Sequence, residues 1–318
     1  MDRPVRKMTP STQNTSREHV SILAVHSGAL GDVILFGHLL ANLPGETTLV
    51  AGGEKARLLT AAGVVTAAMD FDTLPIDELF AEPQPSQPQL PKLLGGHHRL
   101  ISCFGEGDMR VQLRLSAACG AAESAFLPVR PPAGSTAHLL EHWRDMLGFS
   151  QPVRPANWCV RDAWLSDARC LLEGTGVNPD IAYHVLHPGA GGEAKRWDAG
   201  GFRKTAERLT QPVFVLGPVE QDRWSTAEIN SLRSTAPVID RPSLTALTGL
   251  LAGADGYVGN DSGVSHLSAA LGTPTVAIFT ATAPQQFAPL GPAVRTIDAR
   301  VGTLTPNDVL VALAKMSR

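Results

Sequence analysis

Three stretches of the 318-residue chain carry the residue types and spacings that chemistry needs. The first is HSGALGDV, residues 26–33, in which Asp32 follows an apolar run and a glycine-containing loop. A carboxylate there has two roles open to it. It can cap a helix by accepting unpaired N–H groups, a contribution of about 1 kcal/mol. It can also face a ligand cleft at the carboxyl end of a strand and take a proton from a bound hydroxyl. Gly28 and Gly31 permit close backbone approach or positive φ. The spacing is not G-x-G-x-x-G, which argues against a nicotinamide-dinucleotide dehydrogenase.

The second stretch, HPGAGGEAKRW, residues 187–197, again follows an apolar run. Its glycines expose backbone N–H groups that can face an anion, and Lys195 and Arg196 add positive charge. This suits a phosphate or diphosphate, although a solvated loop has the same composition. It is not a P-loop, because G-x-x-x-x-G-K-[ST] is absent. The third stretch, GNDSGVSHLSAALGTPTVAIF, residues 259–279, reads as strand, helix and strand. Asp261 and Ser262 suit a helix start, Gly272 suits its left-handed exit, and Pro274 follows. The N–H groups of Ser262, Gly263, Val264 and Ser265 then form an anion site at the helix's positive end. His266 lies one turn in, where it either packs or lines the same cleft.

Other candidates are sparser. Asp70-Phe71-Asp72 matches a D-x-D, which in some sugar-nucleotide enzymes binds a divalent metal, but three residues match by chance. Glu106 and Asp108 follow an expected strand, as do Glu220 and Asp222, either of which can accept bonds from ribose hydroxyls. Pro242, in RPSL, precedes a helix and can border a base.

These sites require a scaffold that brings strand ends together. Short apolar runs at residues 20–25, 47–50, 99–104, 182–186, 213–216, 256–259 and 275–279 read as strands buried on both faces. Helical patterns lie between them at 32–43, 54–62, 109–119, 135–147, 162–173, 201–209, 244–252 and 262–271. Alternation of this kind predicts parallel α/β sheets. Residues 82–92 hold four prolines and are expected to form no regular element. The stretch around 149–157 is the expected connector, so domains of residues 20–155 and 156–318 follow a polar tail at 1–19. That tail reads as a solvated terminus rather than a secretory signal.

Composition narrows the class. Hydrophobic residues make up 43%, charged residues 18%, and the net charge is −3, which excludes global disorder and gives no basic balance suited to nucleic acid. No apolar run approaches the roughly 18 residues of a membrane span. Cys103, Cys119, Cys159 and Cys170 show no C-x-x-C, which argues against a zinc site or a disulfide framework and suits a reducing cytosol.

Taken together, GALGDV, HPGAGGEAKRW and GNDSGVSHLSAALGTPTVAIF resemble glycosyltransferase family 9, the ADP-heptose:lipopolysaccharide heptosyltransferases. The resemblance implies a GT-B fold, two Rossmann-like domains facing each other across a cleft, and an inverting, metal-independent transfer. It implies that Asp32 is the general base and that Lys195, with Ala190 and Gly191, holds the donor diphosphate. It also implies that Asp261 lies near the sugar, that Ser262, Gly263 and His266 are donor-binding neighbours, and that Pro242 lies at the adenine. Glu220 is the unaligned counterpart of a ribose-binding acid. The implied partners are a nucleotide-sugar donor such as ADP-heptose and a glycan or lipopolysaccharide-core-like acceptor. No further cofactor is implied. The implied location is the cytoplasm, with peripheral contact at the inner face of its membrane. The chain departs from the pattern at His38, where members often have proline, and at ANLPGE, which replaces an arginine-rich stretch. Basic candidates for an acceptor phosphate are scattered: Lys55, Arg57, Arg110 and Arg114. A GT-B enzyme using a UDP- or GDP-sugar and a non-catalytic sugar-nucleotide-binding protein remain the alternatives.

Overall fold

The computed structural model describes residues 20–316; the expected tail at 1–19 lies outside them. The first half runs β1 (Ser21–Val25), α1 (Leu30–Leu40), β2 (Glu46–Ala51), α2 (Gly53–Ala61), β3 (Ala67–Asp70), α3 (Leu90–Leu94), β4 (Arg99–Ser102), α4 (Met109–Cys119), β5 (Glu123–Phe126) and α5 (Leu139–Met146). The second runs α6 (Asp162–Gly174), β6 (His184–His187), α7 (Ala199–Ala206), β7 (Pro212–Leu216), α8 (Pro218–Arg223), α9 (Thr226–Arg233), β8 (Val238–Asp240), α10 (Leu244–Gly253), β9 (Gly256–Asn260), α11 (Gly263–Ala270), β10 (Thr275–Phe279), α12 (Pro284–Phe287), β11 (Val294–Asp298) and α13 (Pro306–Ala314).

The strands form two sheets, in the orders β3-β2-β1-β4-β5 and β11-β10-β9-β6-β7-β8, and every pairing is parallel. Strand order reverses between β1 and β4 in the first sheet, and between β6 and β9 in the second. Open α/β sheets bind ligands outside the strand ends at such reversals. Asp32 follows β1, and the two glycine-bearing stretches follow β6 and β9. Topology alone therefore carries all three motifs to the places where a ligand can sit.

The continuous apolar runs have a direct cause. In β1, Ile22 and Ala24 point into one core, and Leu23 and Val25 into another on the opposite face. Both faces are covered by helices, so alternation is lost. The core on the inner faces is continuous across both halves: α1 and α2 pack against α11 and α10, and Phe36, Leu39, Leu250 and Leu267 are all fully buried within it. The two outer cores lie under α3 and α4, and under α7, α9 and α13.

Several expectations need correction. Residues 90–92 are helical, because α3 begins at Leu90 with proline in its first turn, where the missing N–H is harmless. Leu90 and Leu94 bury against α4. The helix expected at 135–147 starts at Leu139; His138 accepts the Leu140 N–H and ends the irregular entry. The edge strands β3, β5, β8 and β11 were not expected, since none carries a sustained apolar run. Helices α8, α9, α12 and α13 were likewise missed.

The connector is fastened rather than loose. Ala156 N–H donates to His38 Nδ1 at 2.9 Å, Asn42 Nδ2 donates to the Arg154 carbonyl, and Arg161 Nε donates to the Ala61 carbonyl. This gives His38 a structural role in place of the proline expected there. The four cysteines are free, two buried and two exposed. Among the described residues no helix is long and apolar enough to cross a membrane.

Candidate active site

Asp32 occupies the third position of α1, with Ala29 as the N-cap, so it is not the capping residue that its sequence context allowed. Its carboxylate is held by the Ala29 backbone N–H. The preceding turn is tied by Gly28 N–H donating to His26 Nδ1 at 2.9 Å, and by Lys55 Nζ donating to the Gly28 carbonyl at 2.6 Å. Burial raises the Asp32 pKa above the ordinary carboxylate value and outweighs the Ala29 bond; Lys195 and Arg130 pull it down, and Asp261 pushes it up. Four charged groups from two domains therefore meet at one cavity, lined by Gly31, Asp32, Arg130, Gly191, Lys195, Asp261, Ser262, Gly263, His266 and Thr282, among others.

The opposite wall is built from the loops after β6 and β9. Asn260 is fully buried at the end of β9. Its Nδ2 donates to the Pro188 carbonyl at 2.8 Å and its Oδ1 accepts the Trp197 N–H at 2.9 Å. One side chain thus pins both ends of the glycine-rich loop. Thr280 Oγ1 adds a bond to the Ala194 carbonyl. Lys195 Nζ donates to Asp261 Oδ2 at 2.7 Å, and Thr282 Oγ1 donates to the same oxygen. Asp261 is 6% exposed and its lysine about a third exposed.

Helix α11 presents its first turn to this cavity. Ser262 is its N-cap, but the hydroxyl does not cap the helix; it lies 3.3 Å from His187 Nδ1. The first-turn N–H groups remain directed at the space where an anion is favoured. His266 is buried, its Nδ1 makes no hydrogen bond, and its pKa is pushed down to about 4, chiefly by burial. It packs against Gly31 and is a neutral wall of the cavity. Gly272 has φ +79°, the left-handed exit anticipated from the sequence.

Not every expected residue lines the cavity. Ala190 is half-buried beside Gly191, outside the lining. Glu220 is buried behind the loop, so close to Gly189 that a Cβ there would overlap its carboxylate. It accepts the Gly217 N–H at 2.8 Å and sits 3.9 Å from His187 Nε2. Burial works against its charge, yet the nearby His187 and the Gly217 N–H hold its pKa below the usual value. Pro242 is half-exposed at the start of α10, also outside the lining. Asp222 pairs with Arg241, Asp108 caps α4, and Asp70 accepts the Asp72 N–H while pairing with Arg57. The D-x-D is thus a turn, and among the described residues no group of three or more His, Cys, Asp or Glu can hold a metal ion. Three basic candidates, Arg57, Arg110 and Arg114, are engaged with Asp70 or Glu82, and Lys55 binds the Gly28 carbonyl.

Three residues were missed. Arg130 lies past the end of β5, the strand that its composition hid. Thr282 follows β10, and Asn260 ends β9 inside a stretch already singled out. A strand's carboxyl end was the available signal for each.

Two parallel-sheet domains enclosing a cleft at both reversal points define a GT-B protein. The solved glycosyl transferase family 9 protein of Veillonella parvula superposes over 94% of this chain and 97% of its own, with TM-score 0.74 and 15% identity. Escherichia coli heptosyltransferase WaaC, solved with ADP-2-deoxy-2-fluoro heptose, covers 93% of this chain and 99% of its own, with TM-score 0.62 and 19% identity. Residues 149–306, just under half of the chain, match the family described as glycosyltransferase family 9 (heptosyltransferase). Lipopolysaccharide heptosyltransferase 1 of Pseudomonas aeruginosa is 31% identical over 154 residues, 46% of this chain. The match spans 41% of that relative's length.

Proposed function

We propose that the chain transfers a heptose from ADP-heptose to a hydroxyl of a glycan or lipopolysaccharide-core-like acceptor, with inversion and without a metal. The observation that carries this reading is the cavity itself. A carboxylate with a raised pKa stands on one domain, facing a lysine, a glycine-rich loop and a helix N-terminus on the other. The names of the relatives support it: one is a lipopolysaccharide heptosyltransferase, and another was solved with an ADP-heptose analogue.

In this mechanism the acceptor oxygen attacks the anomeric carbon from the face opposite the diphosphate. The new C–O bond forms as the bond to the phosphate oxygen breaks. Asp32 takes the hydroxyl proton, and the nucleoside diphosphate leaves with the electron pair. A positioned base contributes about 10²- to 10⁴-fold, or roughly 3–5 kcal/mol of barrier. Lys195, the Gly191 backbone and the first turn of α11 stabilise the departing charge. Placing these donors in advance lowers the barrier because they need no reorganisation during the step. Peripheral attachment to the inner face of the membrane would present a lipid-borne acceptor to this cleft.

The test is calorimetric titration with ADP, UDP and GDP in the absence of added metal. ADP is expected to bind most tightly. A preference for UDP or GDP would discard heptose as the sugar while leaving the Asp32 chemistry in place. Binding of none would overturn the transferase reading in favour of a non-catalytic protein.

A further inference from the structure

We infer that Lys195, Asp261 and Thr282 form a latch that makes the cavity favour a sugar-linked nucleoside diphosphate over the free nucleoside diphosphate released after transfer. The inference rests on the donor reading above and adds a specificity role to Asp261. Lys195 Nζ and Thr282 Oγ1 both donate to one oxygen of Asp261, Oδ2. The other oxygen, Oδ1, makes no hydrogen bond to the described residues, and Asp261 lines the cavity. The carboxylate is 6% exposed, so water compensates little for a lost partner.

A diphosphate that engages Lys195 must compete with this buried carboxylate. Withdrawing the cation from a buried ion pair is costly, because the remaining charge loses its compensation. The carboxylate also stands in the same cavity as the phosphates and repels them. The two ligands differ in both respects. In the sugar-linked form each phosphate carries about one negative charge. In the free form the terminal phosphate has a second ionisation near pH 6, by analogy with other phosphate monoesters, and so carries close to two at neutral pH. The sugar-linked form also brings hydroxyls, one of which can donate to Oδ1 and restore a hydrogen bond to Asp261. The free diphosphate brings more charge and no donor. Asp261 therefore disfavours the product relative to the donor, and Thr282 keeps the carboxylate anchored when Lys195 turns to the phosphate.

The prediction runs opposite to that for a simple contact residue. Asp261→Asn retains size and removes charge. By calorimetry it should bind ADP at least about fivefold more tightly than the unaltered protein, equivalent to roughly 1 kcal/mol. Its affinity for ADP-heptose should not rise in parallel, so the ratio of the two affinities shifts toward the product. Asp261→Ser repeats the test with a smaller side chain should the amide disturb folding. The gain should shrink when Lys195→Ala is added, because only direct repulsion by the carboxylate is then relieved, and Thr282→Val, which keeps the carboxylate, should show no gain. Unchanged or weaker ADP binding in a folded Asp261 variant would overturn the latch, as would a gain that is undiminished without Lys195. Failure of the unaltered protein and all variants to bind ADP would overturn the donor reading itself, a distinct outcome.

Discussion

Asp32 shows how one side chain acquires a reactive character from its surroundings. Burial in the cleft raises its pKa, whereas the Ala29 N–H, Lys195 and Arg130 work in the other direction. A base must be unprotonated to act, so transfer should fail as the pH drops through that raised value. The acid limb of kcat/KM should therefore lie above the ordinary aspartate pKa of about 3.9, and a limb at or below it would contradict the burial argument. Asp32→Asn should reduce transfer by at least about 10²-fold, the lower range for a general base, while leaving ADP affinity nearly intact. Turnover like that of the unaltered protein would remove Asp32 from the base role.

At the level of elements, the site depends on two helices meeting at their first turns. Gly31 of α1 and Gly263 of α11 face each other. A Cβ on Gly31 would lie 2.8 Å from His266 Cδ2 and 3.4 Å from the Gly263 Cα, and one on Gly263 would lie 2.8 Å from the Leu30 Cβ. Neither glycine has a positive φ, so close approach rather than backbone freedom explains both. Gly31→Ala should push α11 away from α1. We expect a cost of about 1–3 kcal/mol, the range for overpacking, seen as a lower thermal midpoint together with weaker ADP binding. Unchanged values for both would show that the interface yields freely. The buried face of α5 acts similarly on the other side of α1. Trp143 stacks edge-on against Phe36 and donates from Nε1 to the Pro128 carbonyl at 2.7 Å.

For the whole molecule, the continuous core between the domains carries histidines that are held neutral. Burial is the main cause in each case. It takes His26 to about 4, with Lys55 adding to the effect, and His38 to about 3, with His266 and His138 adding. Burial likewise takes His266 to about 4 and lowers His138, which stays bonded to the Ala288 carbonyl across the interface. In each, the native pKa lies below the unfolded value of about 6.5, so the unfolded chain binds more protons as the medium is acidified. Their stabilising contribution is complete above that value and is lost as the pH falls through the native values. The thermal midpoint should decline between about pH 6.5 and 4, and His38→Gln should flatten the decline. A midpoint constant over that window would show that these rings are not held neutral.

What could be read from the sequence, and what could not, separates along physical lines. Central strands such as β1, β6, β9 and β10 are covered on both faces, and that burial writes itself as an apolar run. The glycine-bearing exits of β1, β6 and β9, and Asp32, Lys195, Asp261 and Ser262 on them, were legible for the same reason: chain order and strand polarity dictate which end of a parallel strand a loop occupies. Edge strands such as β5 and β11 bury less, carry no such run, and left Arg130 unplaced. Glu220 lies in the short helix α8 and Pro242 on a loop, and no local pattern encodes the course of either; only packing placed the first behind Gly189 and the second outside the cavity lining. Likewise, Gly31 against His266, Asn260 across the loop from Pro188 to Trp197, and Lys195 on Asp261 join residues from about 60 to more than 200 positions apart. Local propensity determined the elements and their chemistry, whereas the closure of two sheets on one shared core decided which charges meet, because such contacts exist only once distant surfaces have left water.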